Sequence, residues 1–108
     1  MRPSDIYYSQ DSISVEFDNG YTIFSTLNAC RKHPFVIDKI SPIRICNIYG
    51  KWYTLDNRRL WIFKRLEEEG HISDVWVHYV GRHQLPDSKF TTTTEGESVE
   101  IRQRSDFF

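Results

Sequence analysis

The stretch PIRICNIYGKWYTLDNRRLWIFKRLEEEG, residues 42–70, changes its hydrophobic period partway along and so contains the core of a fold. Ile43 and Ile45 alternate with polar neighbours, Tyr49 and Gly50 mark a turn, and Trp52 and Thr54 resume on the other side, which predicts two strands joined as a hairpin. From Asp56 onward the spacing becomes helical, with Leu60, Phe63 and Leu66 on one face and Gly70 as the stop. Asp56 stands where an N-cap belongs, and its carboxylate can accept a backbone N–H of the next turn for about 1 kcal/mol.

On the C-terminal side, SDVWVHYV (73–80) reads as a strand with apolar residues on both faces and therefore as internal to a sheet. The tail from residue 87 to 108 is polar; its four threonines read as a mobile loop, and SVEIR can form a last edge strand. On the N-terminal side, IYYS (6–9) is a short strand. In QDSISVEF, Ile13 and Phe17 match a helical pair while Ser14, Val15 and Glu16 alternate like a strand, and a short helix is the expected outcome. Asp18, Asn19 and Gly20 form a turn. Thr22 then caps a helix over YTIFSTLNACRKH, with Ile23, Leu27 and Cys30 on one face, Arg31, Lys32 and His33 at its C-terminus and Pro34 beyond.

These elements predict an α+β fold: one small domain over residues 1–108 with a mixed β-sheet and two to three helices. A chain of 108 residues with 39% hydrophobic and 15% aromatic content is long enough to bury a core. The formal net charge of −1 excludes the global basic footprint of a protein that coats nucleic acid, so any phosphate binding must be local. No apolar run spans a membrane and no signal-peptide core follows the MRPSD start. Cys30 and Cys46 are too few for a disulfide scaffold and lack C-x-x-C spacing. The expectation is a reducing intracellular compartment, cytoplasmic or nuclear, which is compatible with a domain delivered by a larger secreted system. No internal repeat is present.

The later helix carries its charges in reverse. Arg58 and Arg59 open it and Glu67, Glu68 and Glu69 close it, against a helix dipole that disfavours each such placement by about 0.3–1 kcal/mol. A strand, a polar corner and a helix start place free N–H groups and two guanidinium groups together, which is an anion site. Adjacent positions point about 100° apart, so one arginine is expected to reach the ligand and the other to hold the scaffold. The competing reading is that Asp56 or Asp38 pairs with an arginine on a solvated surface.

The order strand, PIRIC, turn, KWYTLDNRRLWIFKRLEEEG, VWVHYV resembles the core of the ParB/sulfiredoxin-like fold over roughly residues 36–80, with SQDSI matching the region before it. In ParB-type members a G-E-R-R box opens the helix and cradles nucleotide phosphates; in sulfiredoxins the box is G-C-H-R and its cysteine reacts. Here the four positions are Asp56, Asn57, Arg58 and Arg59. The resemblance implies a phosphate-binding role for Arg58 and Arg59, catalytic candidates at Asp56 and Asn57, and a nucleotide with Mg²⁺ as the cofactor or ligand. Asn57 excludes sulfiredoxin chemistry, since an amide is no sulfur nucleophile, and it cannot take a proton as a glutamate would. A base would have to come from Asp56, a histidine, Glu16 or Asp11.

His33, His71, His78 and His83 lack metal-ligand spacing, so no metal site is expected; His83, beside Arg82, is the histidine candidate for catalysis. Trp52, Tyr53 and Trp61 surround the arginine box as core, or as a stacking surface for a base. Ser9, Gln10 and Asp11 follow the first strand and are expected to line the pocket with Trp52, unless Ser9 or Asp11 caps a helix there. There is no Walker loop or G-x-S-x-G elbow. The functional expectation is a phosphate-ligand-binding domain acting on a nucleotide or a nucleic-acid phosphodiester, as a nucleotide hydrolase or a nuclease-like toxin or effector domain. The alternative is a non-catalytic protein-interaction domain on the same scaffold. The terminal SDFF presents two phenylalanines as a docked end or a partner surface.

Overall fold

Within residues 1–103, which the computed structural model describes, the elements run β1 (Tyr7–Tyr8), β2 (Ser12–Ser14), α1 (Ile23–Lys32), β3 (Ile43–Ile48), β4 (Lys51–Thr54), α2 (Asn57–Glu68), β5 (Val77–Tyr79) and β6 (Glu100–Arg102). The predicted hairpin is β3–β4, antiparallel with Ile48 opposite Lys51. Tyr49 and Gly50, at φ 51° and 86°, supply the two left-handed positions of its two-residue turn, and the Asn47 carboxamide oxygen accepts the Gly50 N–H at 3.0 Å. β1 joins β4 and β5 joins β3, both in parallel, giving a mixed sheet in the order β1-β4-β3-β5. β2 and β6 form a separate parallel pair.

Strand alternation sends Ile43 and Ile45 to one face, where they meet Leu27 and Cys30 of α1 and Leu60, Ile62 and Leu66 of α2 in the main core. α1 begins as expected: Thr22 and Ser25 satisfy each other's backbone N–H groups in a reciprocal cap. Cys46 and Ile48 point to the opposite face, which the chain after β5 covers with Leu85 and Phe90. The sheet is therefore packed on both sides, by helices and by the C-terminal segment.

Four expectations change. Residues 12–14 are a strand, because Ile13 and Val15 are both buried with Ser14 between them, a period of two that outweighs the Ile13–Phe17 pair. β5 covers only three residues at the sheet edge rather than its interior, and Trp76 and Tyr79 are 86% and 67% exposed. The threonine stretch is anchored: the Thr92 hydroxyl accepts the Gly96 N–H at 2.8 Å, and Thr91 and Thr92 donate their N–H groups to the Ser9 carbonyl. Asp56 precedes α2, yet its side chain makes no capping bond. The predicted edge strand in SVEIR is β6, while SDFF lies outside the described residues.

Candidate functional site

α2 starts immediately after β4, so the hairpin fixes its first turn beside β3. The reversed charges at its far end are held by other elements. Glu67 accepts the Ser4 N–H and hydroxyl at 2.8 and 3.0 Å, and the Arg31 guanidinium of α1 lies 2.8 and 2.5 Å from the two Glu69 oxygens. Those contacts offset the unfavourable dipole term at that end.

At the near end Asp56 collects arginines. One carboxylate oxygen accepts the Arg44 backbone N–H at 2.7 Å and its Nε at 3.1 Å; the other meets Arg44 Nη2 at 2.7 Å and Arg59 Nη2 at 2.8 Å. Burial alone would raise its pKa, but the hydrogen bonds from the Arg44 side chain and backbone, with the Arg59 and Arg44 charges, hold the carboxyl below its ordinary value. Arg59 also donates to the Ser41 and Pro42 carbonyls at 2.8 and 2.9 Å, so it ties α2 to the entry of β3. Arg58 turns the other way. Its Nη1 donates to the Glu16 carbonyl at 2.5 Å and its guanidinium lies 5.2 Å from the Phe17 ring centre.

Asn57 is almost entirely buried and faces Ser9: its Oδ1 accepts the Ser9 N–H at 2.8 Å and its Nδ2 donates to Ser9 Oγ at 3.0 Å. Both polar ends of the amide are thus engaged in fastening β1 to α2. An amide so clamped positions the helix start, and an amide takes up no proton as a carboxylate would.

A cleft of about 430 Å³ opens over this helix start, lined in part by Gln10, Asp56, Asn57, Arg58 and Arg59. Of the residues singled out in the sequence, these five are brought together. Ser9 is wholly buried behind the cleft; Asp11 is exposed and binds the Thr91 hydroxyl; Trp52 packs edge-on against Tyr79 at 5.1 Å; and His83 lies in an exposed turn at Arg82–Gln84. None of these four lines the cleft. The structure adds Arg44, Arg102 and Asp18 to the lining. Arg44 could have been found in PIRIC as the polar position between Ile43 and Ile45, one pleat away from the turn into α2. Arg102 depends on the β2–β6 pairing, across about ninety residues of chain, and no local pattern carries it.

Among the described residues, four arginines against two aspartates leave the lining with a formal surplus of two positive charges on a chain whose net charge is −1. Among the described residues no group of three or more His, Cys, Asp and Glu side chains could hold a metal ion, and no helix is long and apolar enough to cross a membrane. Compared with protein-family models, with curated proteins and with solved structures, the chain shows no match.

Proposed function

We propose that the protein binds a phosphate-bearing ligand, a nucleotide or a nucleic-acid phosphodiester, in the cleft over the start of α2. The observation that carries this reading is the local charge: four arginine side chains converge on a helix N-terminus that has no side-chain cap. Arg58 uses one of its five N–H donors on the Glu16 carbonyl and keeps others for a ligand, while Arg59 has the scaffold role through Asp56 and two carbonyls. This is the division of labour expected for adjacent arginines, and it is the function that the ParB/sulfiredoxin-like resemblance implies for the box at Asp56, Asn57, Arg58 and Arg59.

None of the catalytic candidates read from the sequence is set up as a base in the cleft, so binding is the activity proposed. Asp56 is saturated with arginine donors and is a weak base, and Asn57 is clamped to Ser9. His83 and Asp11 stand outside the cleft.

The test is a thermal-shift panel on the wild-type chain and on Arg58→Ala. It contains inorganic pyrophosphate, nucleoside di- and triphosphates with and without Mg²⁺, and short single-stranded oligonucleotides. A ligand at about 100 times its Kd adds roughly 2.7 kcal/mol of stability, which such a panel resolves. A shift with one ligand class that Arg58→Ala removes is the expected result and separates nucleotide from phosphodiester. A cooperative melt unmoved by every member of the panel overturns the reading.

A further inference from the structure

Arg102 differs from the other three cleft arginines. Arg44 and Arg59 are bound to Asp56, and Arg58 to the Glu16 carbonyl, whereas the Arg102 side chain is exposed and has no hydrogen-bond or ion-pair partner among the described residues. It reaches the cleft from β6, where it pairs with Ser14 and its carbonyl accepts the Val15 N–H at 3.2 Å. β6 itself is lightly held. Among the described residues it pairs only with β2, over three residues, of which Ile101 alone is partly buried, and the Glu100 N–H is fixed by the Asp11 carbonyl at 2.9 Å. A two-stranded pair of this length is marginal without further support, so its opening is expected to cost less than global unfolding.

We propose that Arg102 is a principal ligand-gripping charge of the cleft, and that ligand binding fastens β6 onto β2. The proposal rests on the phosphate-binding reading and adds to it the side chain that contacts the ligand and a coupling. A guanidinium with no donor committed among the described residues gives up no internal bond when it closes on a phosphate, whereas Arg44 and Arg59 already spend donors on a carboxylate. Because Arg102 lines the cleft only while β6 is paired, an anion held by it binds the paired state in preference to the open one. By linkage it must deepen that pairing. The amides that report it are those of Val15 and Glu100, whose bonds exist only when β6 is seated.

The experiment measures inorganic pyrophosphate affinity by titration calorimetry, and residue-resolved hydrogen exchange with and without pyrophosphate, on the full chain as wild type, Arg102→Ala and Arg102→Lys. Expected are exchange at Val15 and Glu100 slowed at least fivefold by pyrophosphate in the wild type, and affinity at least tenfold weaker in Arg102→Ala. The slowing should be lost in Arg102→Ala and partly restored in Arg102→Lys, with the ligand-free melting temperature unchanged across the three. If pyrophosphate binds the wild type and Arg102→Ala equally well, or binds without slowing those two amides, the proposal is overturned while the cleft reading stands. If the wild type does not bind it, the proposal falls, and the cleft reading falls with it when no nucleotide or oligonucleotide binds either.

Discussion

A buried carboxylate with arginine donors on both oxygens resists protonation, and Asp56 is such a group. Its folded pKa lies below the ordinary carboxylate value, so as pH falls the unfolded chain takes up the proton first. The stability this group contributes is complete above the unfolded carboxylate value near about 4 and is lost as pH falls through the lower folded value. Asp56→Asn removes the charge and leaves Arg44 and Arg59 facing a neutral amide. Arg44 is 48% exposed, so the loss is below that of a fully buried pair, about 1–2 kcal/mol at pH 7. Urea unfolding at pH 7 and at about pH 3 checks it: the variant is expected to be less stable at neutral pH and to lose less of its stability on acidification than the wild type. Equal acid-side slopes would contradict the role given to Asp56. The pairing of Asp56 with an arginine of its own helix was legible in the sequence as the competing reading, and Arg59 makes it; the second partner was not, because Arg44 lies twelve positions earlier on the neighbouring strand.

The C-terminal segment is seated as firmly as an element although it has no regular period. Gly96, at φ 82°, lies so close to β1 and β4 that a Cβ there would stand 2.7 Å from Tyr7 Cβ, 2.8 Å from the Tyr8 carbonyl and 2.9 Å from a Tyr53 ring carbon. Its own carbonyl accepts the Tyr8 N–H at 2.9 Å. Gly96→Ala combines a left-handed backbone with overpacking against the Tyr8 carbonyl and two tyrosine side chains, and a loss of about 2–3 kcal/mol in urea unfolding is expected. A variant within about 0.5 kcal/mol of wild type would show that the segment is not seated in this way. The same segment explains which elements could be read in advance. α1, the β3–β4 hairpin and α2 announce themselves through caps, a turn and apolar period, all of them local. The threonine stretch is held by hydroxyl and backbone bonds to Ser9, Asp11 and Gly96, a long-range pattern that in sequence looks like any polar loop. β5 misled because Val75, Trp76, Val77 and Tyr79 are as apolar as an internal strand, although they lie at an edge where Trp76 and Tyr79 face solvent.

For the molecule as a whole, the sheet separates two apolar clusters and the cleft lies where the N-terminal strands, the hairpin, α2 and β6 meet. The arginines and the bond that holds one come from separate elements: Arg44 from β3, Arg58 and Arg59 from α2, Arg102 from β6, and the Glu16 carbonyl just beyond β2. The phosphate binding proposed above is assigned to this one positive cleft on a slightly acidic chain, and that place is the central claim. Backbone ¹H–¹⁵N spectra of the full chain titrated with inorganic pyrophosphate test it most directly. The N–H groups of Asn57, Arg58 and Arg59 head α2 without a side-chain cap and lie where a bound phosphate would meet them. The predicted result is saturable shifts largest at those three amides, weakened by added salt because the attraction is between charges. A titration in which those three amides stay fixed while saturable shifts appear elsewhere, or nowhere, would contradict it.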